Sequence, residues 1–304
     1  MEHRRIGSLE VAVIGLGCNN FGWRLDADAT AAVVHAALDA GIDFFDTAEL
    51  YGEGRSEEYL GRALRGRRQE VVVATKFGYK TAPTHRRGHP DNVRRAADAS
   101  LKRLGTDYID LFQLHSPDPS IPIADTLGAL DELVRQGKAR EVGCSNFSAA
   151  QLREAARAVK PGAARFVSVQ NEYSLMHREP EADVLAECAR LDIAFIPYYP
   201  LASGLLTGKY RHGRALPKGT RLAEGSGLLV EENLAAVEEL IHFAESKRHT
   251  VLELAIGWLL GHPAVASVIA GATKPEQTRG NASAAGWRLS PEERAAVDAL
   301  AVYS

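Results

Sequence analysis

The sequence has little sulfur. Three cysteines and two methionines occur in 304 residues. Cys18, Cys144 and Cys188 lie far apart and form no CxxC pair. That spacing excludes a zinc knuckle or a disulfide scaffold and suits a reducing compartment. No apolar signal-type stretch opens the chain, where Met1, Glu2, His3, Arg4 and Arg5 lead into Ile6 and Gly7. The most apolar stretch, 254–272, is interrupted by His262 and Pro263. Neither side of that break is long enough to span a bilayer. Charge of one sign is also missing: 36 Lys and Arg against 39 Asp and Glu give −3. No basic cluster suggests a nucleic-acid partner, and no like-charge block or low-complexity tract suggests a disordered tail. These absences predict a soluble, cytoplasmic protein with no nucleic-acid or membrane partner and no metal site.

What is present is alternation. Short apolar runs at 11–16, 42–45, 71–74, 108–114, 141–144, 166–169, 193–196 and 265–270 read as strands. Helical runs separate them. Val33, Ala36, Ala37 and Ala40 share one face before Gly41 stops the first helix. Further helices read at 56–64, 90–104, 123–136, 181–191, 233–248, 251–260 and 291–300. Ser148 and Gln151 have capping-box spacing, as do Thr273 and Glu276. Parallel neighbours need crossovers, and eight such units at this length favour a closed (β/α)8 TIM barrel of one domain, 1–304, over an open sheet. Residues 4–9 could add an N-terminal β-hairpin across the barrel bottom. The irregular stretch 202–231 reads as a lid or binding loop.

A barrel of this kind puts its chemistry at the C-terminal ends of the strands. Asp46, Lys76, His115, Ser145 with Asn146, Gln170 and Tyr198 each directly follow an apolar run. Each alone has a bland reading, as a turn cap, a solvated lysine or a loop histidine. Six together share one explanation, a common mouth. With Tyr51 they form a chemically coherent set. A phenol near pKa 10 is a poor acid at neutral pH, and a buried ammonium beside it should lower that value. A carboxylate keeps the ammonium charged. Asp46 can hold Lys76, Lys76 can tune Tyr51, and His115 can orient a carbonyl oxygen. Such a device moves a proton to or from an oxygen on carbon.

A hydride is missing from that set, so a cofactor is required. Gly15 and Gly17 resemble a dinucleotide fingerprint, but Asn20 stands where the third glycine belongs and the next helix starts late. An open Rossmann-type dehydrogenase is therefore disfavoured, and Gly17, Cys18 and Asn19 are read as turning the chain over the barrel mouth. Ser145, Asn146 and Gln170 offer groups for a carboxamide, and Tyr198 offers a face for a flat ring. Gly271, Thr273 and Lys274 lie at a helix N-terminus suited to a phosphate.

The runs 44–52, 74–78, 111–118, 143–147, 170–175, 197–204 and 271–277 with Asn281, in this order, resemble the aldo-keto reductase family over essentially the whole chain. That family consists of (β/α)8 barrels that reduce carbonyls with a nicotinamide cofactor. The resemblance implies a catalytic tetrad of Asp46, Tyr51, Lys76 and His115, with Tyr51 as proton donor. It implies that Ser145, Asn146 and Gln170 hold the nicotinamide amide and that Tyr198 stacks on the ring. Leu201 and Ser203 would line the pyrophosphate, with Gln277 and Asn281 at the adenosine end; Gly17, Cys18, Asn19 and Asp46 would also border the cofactor. Some members clamp a 2′-phosphate with a lysine and an arginine, at positions that align with Gly271 and Gln277 here. Lys274 and Arg279 are the cations left nearby. NADP(H) is the expected cofactor, with NAD(H) left open. Asn20, Phe21, Trp23, Tyr51, Tyr79 and His115 are the expected substrate contacts.

The expected activity is NADP(H)-dependent reduction of an aldehyde, ketone or sugar-like carbonyl to the alcohol, or the reverse. The partner is then a small carbonyl or alcohol. The alternative is a cofactor-binding regulatory subunit on the same barrel, similar to potassium-channel β subunits. The sequence carries no signature of an oligomeric state.

Overall fold

The computed structural model describes residues 1–79, 86–211, 213, 214, 222 and 227–300. Two short strands, β1 (His3–Ile6) and β2 (Leu9–Ala12), pair antiparallel. Gly7 turns between them at φ +59°, a conformation open to glycine at no steric cost. Eight strands then follow: β3 (Ile14–Gly17), β4 (Phe44–Asp46), β5 (Val72–Phe77), β6 (Ile109–Leu114), β7 (Ala139–Ser145), β8 (Phe166–Glu172), β9 (Ala194–Tyr198) and β10 (Val268–Gly271). They form one parallel sheet in the order β10-β3-β4-β5-β6-β7-β8-β9. The Phe195 amide donates to the Ala264 carbonyl (2.8 Å), and the Ala266 amide donates to the Phe195 carbonyl (2.9 Å). These bonds return the last strand to β9, so the sheet curves into a nearly closed barrel.

The helices are α1 (Ala27–Asp39), α2 (Arg55–Ala63), α3 (Pro90–Leu104), α4 (Ile123–Arg135), α5 (Ala149–Ala158), α6 (Val184–Leu191), α7 (Glu231–Ser246), α8 (Val251–Leu260), α9 (Pro275–Ser283) and α10 (Pro291–Leu300). Their ends follow local chemistry. The Ser148–Gln151 capping box forms as expected, and Thr250–Glu253 makes a second at α8. Pro90 sits in the first turn of α3 and Gly105 ends it in the left-handed region.

Three expectations are corrected in detail. The apolar run 11–16 is not one strand. It breaks at Val13, whose amide donates to the Glu2 carbonyl, while the Asp43 side chain takes the Ala12 amide. Both halves are buried, so the hydrophobic pattern carried no trace of the break. The helix read from 181 begins at Val184, after a 3-10 turn at Glu179–Glu181. The last strand begins at Val268 and not at 265, where Val265 only bridges to Phe195. The irregular stretch 202–231 contains a 3-10 segment at Ala202–Thr207, and much of the remainder lies outside the described residues.

The barrel interior is layered. Ile6, Leu9 and Val11 of the hairpin pack with Phe44, Val72, Ala74 and Leu111 into one buried cluster that plugs the lower end. Side chains alternate along a strand, so two residues further on the same inward face carries Asp46, Lys76 and Gln113. An apolar floor therefore supports a polar upper layer. Outside the strands, a larger cluster fills the space beneath the helices.

One close contact tests this packing. A Cβ at Gly61 of α2 would lie 2.1 Å from the Leu104 carbonyl oxygen at the end of α3. Gly61→Ala gains about 1 kcal/mol of helix propensity but forces two backbones apart, which costs more. Its thermal midpoint should fall by several degrees in a circular-dichroism melt. An equal or higher midpoint would contradict the packing of α2 on α3.

Candidate active site

The polar layer opens into a cavity of about 1290 Å³ at the C-terminal ends of the strands. Asp46 ends β4, and Lys76 lies one pleat above Ala74, its register partner on β5. Lys76 is fully buried and Asp46 is 3% exposed. Lys76 Nζ donates to Asp46 Oδ2 at 2.5 Å and to the Thr47 carbonyl at 3.1 Å, and it lies 3.5 Å from Tyr51 Oη. Gln170 Nε2 (2.9 Å) and Gln113 Nε2 (3.3 Å) donate to the other carboxylate oxygen. The pair therefore sits in a saturated nest of donors and acceptors, which a buried ion pair requires.

Electrostatics follow from that nest. Burial is the largest single effect and pulls the Lys76 amine down, but the charges and hydrogen bonds of Asp46 and Tyr51 together outweigh it, and the value ends above the ordinary one. His115 is pushed down to about 2, first by burial and then by the Lys76 charge, so its ring is neutral at physiological pH. Its Nδ1 is buried without a hydrogen-bond partner. Tyr51 reverses the expected sign. Burial is the largest effect and raises its pKa, Asp46 raises it further, and Lys76 only partly offsets both. The phenol in this state is a fully protonated group, held close to an ammonium.

All of the expected cofactor and substrate residues line the cavity except Phe21 and Trp23. Phe21 is fully buried in the cluster beneath the helices, because the chain turns back after β3 with the Phe21 amide on the Cys18 carbonyl. Trp23 is 57% exposed and outside the lining; its indole donates to the Asn19 carbonyl. Tyr79 packs tilted on His115 at 4.6 Å between ring centroids. Asn146, in the left-handed region at φ +62°, donates to the His115 carbonyl and accepts from the Tyr198 hydroxyl. Ser145 Oγ donates to the Gln170 carbonyl.

At the far end α9 starts without a side-chain cap. The capping box expected from Thr273 and Glu276 does not form. The helix begins at Pro275, one residue late for that spacing, so Thr273 instead donates through its amide (2.7 Å) and hydroxyl (3.1 Å) to Gln277 Oε1. Gly17 and Gly271 are register partners on adjacent strands. A Cβ on Gly17 would press on Ile269 at 3.0 Å, and one on Gly271 would meet Asn19 at 3.3 Å. These two bare positions cradle whatever lies between the phenol and α9. A long, partly flat ligand with a phosphate group fits this outline.

Several lining or supporting residues had not been anticipated. Gln113 braces Asp46 from inside the strand; its signal was a polar residue at an inward position two before His115. Lys209, Tyr199 and Leu50 line the cavity without any sequence signal. Four of the non-glycine residues with positive φ, Asn146, Tyr199, Ala202 and Ser203, follow β7 or β9. Such strain gathers at functional sites.

The Aldo/keto reductase family profile matches residues 13–302. The chain belongs to the aldo-keto reductase family. Aldo-keto reductase YhdN of Bacillus subtilis (strain 168) is 35% identical over 99% of this chain and 93% of its own length. A probable voltage-gated potassium channel subunit beta of Arabidopsis thaliana is 34% identical over 93% of this chain and 91% of its own. Among solved structures, the glycerol dehydrogenase AKR11B4 from Gluconobacter oxydans matches with a TM-score of 0.85 and 33% identity, covering 98% of this chain and 94% of that one. The holo form of aldo-keto reductase AKR11C1 from Bacillus halodurans matches at 0.83 and 31%, covering 99% and 96%. This aldo-keto reductase is thus an oxidoreductase by family. Among its described residues no helix is long and apolar enough to cross a membrane, and no cluster of metal-ligating side chains occurs.

The ion pair gives a test. Asp46→Asn leaves a buried ammonium without its counter-charge and should cost about 3–5 kcal/mol near neutral pH. In the native protein the raised Lys76 pKa contributes stability below the unfolded value of 10.5, lost as pH rises through the folded value. In the variant the folded pKa drops below the unfolded one, so loss of the proton relieves the penalty. Urea unfolding should show the gap between the two proteins narrowing from neutral pH towards about pH 10. A constant gap would contradict the pairing.

Proposed function

We propose that this aldo-keto reductase interconverts a small aldehyde, ketone or sugar-like carbonyl with its alcohol, using NADP(H). The observation that carries the reading is the buried Asp46–Lys76 pair beneath the Tyr51 hydroxyl, beside a neutral His115, at one end of a cavity whose other end is an uncapped helix. A bound nicotinamide would supply or accept the hydride. Everything else falls to the chain. Tyr51 holds the proton at Oη and delivers it to the carbonyl oxygen. Lys76 stays charged through Asp46, and its field counts most when the phenol loses its proton, so the interaction is stronger in the transition state than in the resting site. A buried N–H with no acceptor is rare, so the His115 proton sits on Nε2, facing the cavity, where a carbonyl oxygen accepts it. That bond orients the substrate.

Ser145, Asn146 and Gln170 would hold the carboxamide, with Tyr198 against the ring. Leu201, Ser203 and Lys209 would border the pyrophosphate. Thr273, Gln277 and Asn281 would meet the adenosine end. Lys274 beside the start of α9 supports a 2′-phosphate and hence NADP over NAD. Leu50, Tyr79 and Tyr199 would enclose the substrate beyond its carbonyl. Three buried free thiols suit a reducing cytoplasm.

The likeness to a potassium channel subunit beta favours a second reading, in which cofactor binding serves a partner protein. A panel of aldehydes and ketones, glyceraldehyde included, followed by NADPH absorbance separates the two. Turnover supports the reductase; binding without turnover supports the second reading. Tyr51→Phe should lower kcat by about 10²–10⁴-fold while NADPH still quenches protein fluorescence. Retained turnover would remove Tyr51 from the donor role. Lys274→Glu should raise KM for NADPH by about tenfold and leave KM for NADH nearly unchanged. Equal effects on both cofactors would refute the 2′-phosphate contact.

A further inference from the structure

Two fully buried polar residues beside the site have no part in the chemistry above: Ser56 and Glu57, in the first turn of α2. Each is tied to the neighbour of a site residue. Thr75, directly before Lys76, donates to Glu57 Oε1 at 2.6 Å. Arg103 of α3 donates through Nε to Glu57 Oε2, also at 2.6 Å. Ser56 Oγ donates to the Cys18 carbonyl at 2.8 Å, so its contact with Thr47 Oγ1 (2.8 Å) must be Thr47 donating. The Thr47 carbonyl in turn accepts Lys76 Nζ.

Immediately before α2 lies the turn that carries Tyr51. Gly52, Glu53 and Gly54 follow it at φ +57°, +60° and +91°. Three successive left-handed residues, one of them not glycine, form a conformation that persists only when its surroundings over-determine it. Arg103 supplies part of that enclosure, since a Cβ on Gly54 would lie 2.8 Å from Arg103 Cδ. The guanidinium that neutralises Glu57 also roofs the turn.

We propose that Glu57 is a positioning residue: through Thr75 and Arg103 it locks the 51–54 turn and so keeps the Tyr51 hydroxyl within reach of Lys76. This rests on the proton-donor role of Tyr51. Lys76 from β5, Asp46 from β4, His115 beyond β6 and Tyr198 and Tyr199 at and beyond the end of β9 also face the phenol. Glu57 reaches Lys76 through its chain neighbour Thr75. Glu49 lies within reach of the Glu57–Arg103 pair: burial raises its pKa most, the Glu57 charge raises it further, and the Gly78 amide, Arg103 and Arg95 pull it down.

The test uses the full chain and the alcohol of the fastest aldehyde in the panel, with NADP⁺ as oxidant. In that direction Tyr51 must give up its proton first, so the rate rises with pH through its pKa. Glu57→Gln keeps the side-chain volume and the Thr75 bond but frees Arg103. Loosening the turn lengthens the Lys76–Tyr51 contact and removes the ammonium's help. The alkaline limb should move up by about one pH unit, and kcat should fall about tenfold or more, with the NADP⁺ Kd within about twofold. Asp110→Asn is the control. Asp110 is an equally buried carboxylate, held by Arg68 and Arg140 at the lower end of β6. It should lower stability and leave the limb in place.

If Glu57→Gln behaves like Asp110→Asn, the positioning role is refuted. Should Glu57→Gln not fold, Thr75→Val removes only the hydroxyl bond and should move the limb in the same direction; an unmoved limb there also refutes the role. Inactive Tyr51→Phe with an unmoved limb in Glu57→Gln overturns this proposal alone. Active Tyr51→Phe overturns the donor assignment beneath it.

Discussion

An ammonium with no exposed surface is the constraint around which the upper barrel is arranged. Removing such a charge from water costs several kcal/mol even after relaxation. Lys76 meets that cost with all three of its donors directed at oxygen: the Asp46 carboxylate, the Thr47 carbonyl and the Tyr51 phenol. The carboxylate needs support of its own and receives it from Gln113 and Gln170, on two different strands. Four strands thus converge on one ion pair. None could slip by a residue without turning its polar side chain out of the barrel. The site's chemistry and the sheet's register are the same constraint.

The sign of the Tyr51 shift follows from this arrangement. A phenol that an ammonium had already acidified would be partly ionised and poorly stocked with protons. Here burial dominates and the hydroxyl stays protonated. Under the proposed reading, the ammonium's stabilisation counts most when negative charge develops on that oxygen, which is where a catalyst gains from it.

Much of this was legible in the residues, for definite reasons. Short continuous apolar runs mark the strands and a 3.6-residue period marks the helices, and eight repeats at this length leave few topologies. Polar residues directly after apolar runs marked the strand ends, which is why Asp46, His115, Ser145 and Gln170 could be found. The rule failed where it had no purchase. Gln113 lies inside a strand, so a search beyond the strand ends passed over it. Phe21 follows a strand but points into the core, because the loop reverses there. The break at Val13 left no polar mark, since the hairpin and the first barrel strand are buried alike. Thr273 and Glu276 have capping-box spacing, but α9 starts at Pro275, one residue later than that spacing needs. Side-chain burial could not be weighed from sequence, and burial decided the direction of the Tyr51 shift.

The hairpin at the lower end has a consequence for traffic. With Ile6, Leu9 and Val11 packed beneath Phe44 and Leu111, the described residues close the lower end of the barrel, and the cavity lies at the upper end. Two guests that share one doorway cannot pass each other. If a cofactor and a substrate both entered from above, the deeper one would have to arrive first and depart last, and a stopper that touches neither would set that order.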